Sequence, residues 1–227
     1  MKHLAIALLS LMASLSHATT NELQQLELLS YRLSSSFATF IFFEGQQEYL
    51  QQAKQHLAEG SELLTTIPDQ HPQIHRKWNE AETFISDNTD RSFEGFDMTL
   101  EAGWSLLTLN LQEKIAELNP RQQASAAFKL QLEFEQILVH YMKFANSTAG
   151  GYGVSRASDT IEDKVARAEA IINQDFSKNI RLKRKWKYIK KTILAYNSNT
   201  APYIVMRVFD DMRRMVNQDS TQKIAEN

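Results

Sequence analysis

The sequence predicts an all-α protein: two tandem, duplicated four-helix up-down units behind a cleaved signal peptide. Three observations carry that expectation. Only 7 glycines and 4 prolines interrupt 227 residues, while Leu, Ala, Glu, Gln and Lys, all good helix formers, are plentiful. Apolar residues recur at steps of three and four, the spacing that lines one face of a helix. A single offset also lays the pattern of two consecutive helices onto two later ones.

The elements follow in chain order. Residues 1–3 carry one lysine, residues 4–15 are largely apolar, and Ser16-His17-Ala18 sets small residues at minus three and minus one of a cleavage site. This is the pattern of a secretory signal peptide, residues 1–18, cleaved after Ala18. The run falls short of the roughly 20 apolar residues that a membrane span needs, and no later segment is apolar for longer. A short leader of this kind directs the chain to a periplasm.

The first, acidic unit covers residues 19–118, with helices expected at 22–44, 47–66, 72–87 and 91–118. In the second of these, Leu50, Ala53, Leu57, Gly60, Leu64 and Ile67 form one stripe; in the third, Ile74, Trp78, Ala81 and Ile85 do so. One such stripe per helix is what a bundle buries. Asn119-Pro120 reads as an N-cap followed by a first helical residue, and so as the seam between units.

The second, basic unit covers residues 119–217, with helices expected at 120–146, 158–174, 179–197 and 201–217, followed by a polar tail at 218–227. A shift of 108 takes Ile74, Trp78, Ala81 and Ile85 onto Leu182, Trp186, Ile189 and Ile193. The same shift takes Ala53, Leu57, Gly60 and Leu64 onto Ile161, Val165, Ala168 and Ile172, and Arg76-Lys77-Trp78 onto Arg184-Lys185-Trp186. The leading helices pair at a shift of 104, Leu33, Phe37 and Phe40 with Ile137, Tyr141 and Phe144; the last helices pair loosely at 112.

Charge is unevenly spread. Residues 19–118 hold sixteen acids and six Lys/Arg, whereas residues 119–227 hold eleven acids and eighteen Lys/Arg. Lys178, Arg181, Lys183, Arg184, Lys185, Lys187, Lys190 and Lys191 crowd into fourteen residues without an acid. The stripe Leu182, Trp186, Ile189 and Ile193 faces a core, so most of these cations are expected in water. Such a face suits docking to an acidic protein or an anionic envelope surface; the alternatives are a merely solvated face or one paired with the acidic unit. Opposite charge on the units is also a route to homo-oligomers through head-to-tail association. Nucleic acid is not expected: an exported chain with a net charge of −2 lacks any nucleic-acid motif beside the stripe.

Signs of catalysis are sparse. With no cysteine, disulfides and thiolate chemistry are out. His71 and His75 have i,i+4 spacing but no HExxH context, and His140 lacks the Glu-x-x-His pairing of di-iron bundles. No Gly-x-Ser-x-Gly elbow occurs, and Ser34-Ser35-Ser36 reads as small residues that permit close helix packing. Gly150, Gly151, Tyr152 and Gly153 form a glycine-rich loop that is either a connector or a small binding feature; it is no phosphate loop. No cofactor or metal is indicated. The expected function is therefore a non-enzymatic periplasmic interaction or adaptor protein with a basic helical docking face at Lys183, Arg184, Lys185, Lys187, Lys190 and Lys191. The alternative is a sensory or carrier bundle that binds a small molecule between helices.

Overall fold

A computed structural model describes residues 2–67, 71–91, 93, 97–119, 124–148, 159–196, 198 and 200–225, with side chains among those within 21–146 and 159–219. Their regular structure is entirely helical: α1 (Lys2–Phe42), α2 (Gln47–Leu64), α3 (Pro72–Asp87), α4 (Met98–Leu118), α5 (Ala126–Thr148), α6 (Ile161–Asp175), α7 (Ile180–Leu194) and α8 (Pro202–Ala225).

Local chemistry sets most helix ends. After α1, Gly45 takes φ +86° and its N–H reaches back to the Phe40 carbonyl at 3.0 Å, a left-handed turn that glycine enters without steric cost. The α4 helix begins at Met98, later than the expected residue 91, because Asp97 accepts the Leu100 N–H at 2.9 Å and so caps the helix there. The seam also differs from expectation. Asn119 closes α4, its N–H donating to Ile115 O at 3.1 Å, and Ser125 Oγ caps α5 by accepting from Phe128 N at 3.1 Å. Asn119 instead spends its side chain on Glu27, whose buried carboxylate accepts from Asn119 Nδ2 at 2.5 Å. Thr160 and Asp163 form a reciprocal capping box on α6, and Asn179 Oδ1 accepts from Leu182 N at 3.0 Å to start α7. The last helix runs through Ala225 rather than giving way to a tail after Asn217.

The stripes read from the sequence are the buried faces. Leu50, Ala53, Leu57, Gly60 and Leu64 of α2, Ile74, Trp78, Ala81 and Ile85 of α3, and Leu182, Trp186, Ile189 and Ile193 of α7 are all buried. Helix α1 packs on α2 and α4, with α3 bridging α2 and α4; α5 packs on α6 and α8, with α7 bridging those two. Helices α1 and α5 pack on each other and join the two rings. One connected apolar core runs from Leu23 through Phe37, Trp78, Trp104, Phe134 and Trp186 to Val216.

Candidate functional site

Helix α7 sorts its cations by position around the helix. Lys185 and Lys190 flank the buried stripe and reach its neighbours: Lys185 Nζ meets Asp211 of α8 at 2.5 Å, and Lys190 Nζ meets Glu169 of α6 at 2.5 Å. Both acids lie in the second half, so these pairs do not draw on the acidic first half. The outward face holds Ile180, Arg184, Lys187, Tyr188 and Lys191 at steps of three, four and one, a single stripe opposite the buried one. Arg184, Lys187 and Lys191 are exposed and form no ion pair among the described residues, as is true of Lys178, Arg181 and Lys183. Two large apolar side chains stand among them, Ile180 at 62% and Tyr188 at 60% exposure. The face is amphipathic in its own right.

The other sequence candidates fare differently. Gly150, Gly151, Tyr152 and Gly153 lie outside the described residues. His71 precedes α3 and His75 sits in its first turn, and no group of three or more His, Asp or Glu that could hold a metal occurs among the described residues. His140 is packed on α5, where burial, then Lys164 and Lys143, lower its pKa to about 4. Ser34, Ser35 and Ser36 do sit in a close helix contact: Ser34 Oγ donates to Thr108 Oγ1 of α4 at 3.1 Å, and Ser35 Oγ donates to the Arg32 carbonyl at 3.1 Å. Ser36 has a further partner, His56 Nδ1 of α2, at 3.1 Å.

That last pair opens onto a feature the sequence reading missed. A cleft of about 520 Å³ lies between α1, α2, α5 and α8, where the two rings meet. Beneath it the Glu135 carboxylate is wholly buried. Arg213 grips it through Nε and Nη2, each at 2.6 Å, and Arg32 Nε donates to it at 2.9 Å. Burial alone would raise the Glu135 pKa, but the two guanidiniums and their hydrogen bonds hold it below the usual carboxylate range. Arg32 Nη2 also donates to Gln131 Oε1 at 3.1 Å, and Gln131 Nε2 donates to Asn217 Oδ1 at 2.8 Å. His56, on the cleft wall, has its pKa lowered by burial first and then by Arg32. The signal that could have found this network is a charge set inside an apolar run. Arg32 interrupts the buried residues of α1, and Glu135 follows Phe134 in the buried face of α5; such residues are almost never buried unless paired.

No helix among the described residues is long and apolar enough to cross a membrane. The chain matches no known family model, no curated protein and no solved structure.

Proposed function

We propose that this chain is an exported, non-enzymatic interaction module that docks through the outward face of α7 onto an anionic envelope surface. The observation that carries the reading is the stripe Ile180, Arg184, Lys187, Tyr188 and Lys191, exposed and without an acidic partner among the described residues. Each cation near an anionic bilayer contributes about 1 kcal/mol, and exposed Ile and Tyr side chains add apolar contact at the headgroup level. Export rests on the leader at residues 1–18; among the described side chains the connected core begins at Leu23, so cleavage after Ala18 leaves it intact. The matched stripes at a shift of 108, and the equivalent places that α1–α4 and α5–α8 take in their rings, support an internal duplication.

The test is cosedimentation of the purified protein with vesicles containing phosphatidylglycerol or only phosphatidylcholine. Binding should be confined to the anionic vesicles and weaken steeply with salt. An Arg184→Gln, Lys187→Gln, Lys191→Gln triple variant should lose it while keeping its helix content. Binding that ignores both lipid charge and salt would end the docking reading. Absence of binding to either vesicle would turn the search to an acidic protein partner.

A further inference from the structure

The cleft between the rings has the composition of a ligand site rather than of a packing defect. Its charged lining is three arginines, Arg32, Arg213 and Arg214, against two acids, Glu59 and Asp210; Leu138 and Met206 are its apolar residues, and it holds no Phe, Tyr or Trp. A sugar or an aromatic ligand would find no ring to stack on.

The donors decide what does fit. A guanidinium carries five N–H groups. Arg213 commits Nε and Nη2 to Glu135 and Nη1 to Asp210. Arg32 spends Nε on Glu135 and one Nη2 hydrogen on Gln131, while its Nη1 donates to no described residue. The Arg32 side chain is 25% exposed and lines the cleft. Its uncommitted donors, both on Nη1 and one on Nη2, therefore form a planar group of fixed charge, the kind of partner that carboxylates bind with charge-assisted bonds. Glu135 shows the same recognition from within, held by Arg213 on both oxygens. Gln52 lines the cleft from α2 and its side-chain amide makes no hydrogen bond to a described residue, and His56 is steadied by Ser36. These amide and imidazole groups can receive the polar remainder of a ligand larger than a bare ion.

We propose that this cleft binds a small organic carboxylate, its carboxyl group on the uncommitted donors of Arg32 and its polar remainder against Gln52 and His56. The three proposed contacts come from α1 and α2, with α8 forming the facing wall, and an occupant that binds only the folded chain raises its stability. It is independent of the α7 face.

Isothermal titration calorimetry of the full chain with succinate, L-glutamate and lactate, and with sulfate as an inorganic control, tests the assignment. At least one carboxylate should give saturable heat and raise the melting temperature, and sulfate should bind more weakly. Arg32→Gln should weaken that binding roughly tenfold or more, the loss expected from a charge-assisted pair. Arg32 also holds Glu135, so Gln52→Leu, which touches no ion pair, supplies a second reading: weaker binding with unchanged melting of the free protein. The α7 triple variant should bind as the parent does. Saturable heat from none of the three carboxylates overturns the proposal. So does sulfate binding as tightly as the best of them, undiminished affinity in both cleft variants, or loss of binding in the α7 variant.

Discussion

Glu101, buried, and His140, half-buried, are ionisable groups whose effects on stability run in opposite directions with pH. Glu101 of α4 is 1% exposed; burial raises its pKa to about 7, against the smaller opposing effects of Ser105, Lys143 and Asn146. The folded state thus holds a proton that the unfolded chain releases near 4.5. The stability this group contributes is full below 4.5 and lost as pH rises through about 7. His140 behaves inversely. Its pKa falls from 6.5 to about 4, so its contribution is present above 6.5 and lost as pH falls through about 4. Within the shared window the two slopes oppose each other, and single variants should separate them. The two Glu101 oxygens accept from Ser105 Oγ at 2.9 Å and from Asn146 Nδ2 at 3.0 Å; Glu101→Gln keeps one of these acceptors and cannot ionise. We expect Glu101→Gln to raise stability at pH 7–8 by on the order of 1–3 kcal/mol and to flatten the loss above pH 4.5. His140→Gln should flatten the loss below pH 6.5. Urea midpoints across pH 4 to 8 read both.

The contact between α2 and α3 turns on a missing side chain. Gly60 lies in the buried stripe of α2, and a Cβ there would stand 2.0 Å from Cζ2 of the Trp78 indole. That ring is wholly buried and anchored, its Nε1 donating to Leu57 O at 3.3 Å and to Ser61 Oγ at 3.1 Å, so it cannot yield cheaply. Gly60→Ala would gain about 1 kcal/mol of helix propensity but force the indole or the helix to move, an overpacking cost of roughly 1–3 kcal/mol or more. The expected outcome is net destabilisation in a urea melt, with Trp78→Phe in the same chain recovering part of it. In the second ring the matching positions hold Ala168 and Trp186, and the buried Trp186 Nε1 has no partner among the described residues. Helix α7 places one stripe inward and an opposite stripe in water, so its outward cations can be neutralised without touching the core.

At the scale of the molecule, α1 and α5 do for the two rings what each stripe does for one helix. Phe37, Phe40 and Leu33 of α1, and Phe134, Ile137 and Tyr141 of α5, belong to one connected core. Polar bonds cross the same boundary from Arg32 to Glu135 and from Asn146 Nδ2 to Ala38 O at 3.3 Å. Residues 19–118 and 119–227 produced as separate chains would each bare that apolar face, and Glu135 would keep Arg213 but lose its bond from Arg32. We expect neither half alone to melt cooperatively by circular dichroism, and mixing to restore the transition. Two sharp independent melts would show that each ring stands without the other.

Much of the fold was legible because helices write their burial into the sequence at a fixed period. The inward faces of α2, α3 and α7 are the stripes read from spacing, and α3 and α7 begin within a residue of where that reading put them. Boundaries failed where a polar side chain had two possible employers: Asn119 fits an N-cap by local rule, yet its side chain serves Glu27 across the bundle. The amino-acid sequence by itself determined the all-helical class, the buried stripes and the crowding of cations on one helix, since each depends on residues within a few turns of one another. Only the tertiary structure decided which cations lack partners and that the two rings share one core. It alone brought Arg32, His56, Glu135 and Arg213 to one cleft. Those residues come from four helices far apart in the chain, and pairing between distant charges depends on how helices pack, which no local period encodes.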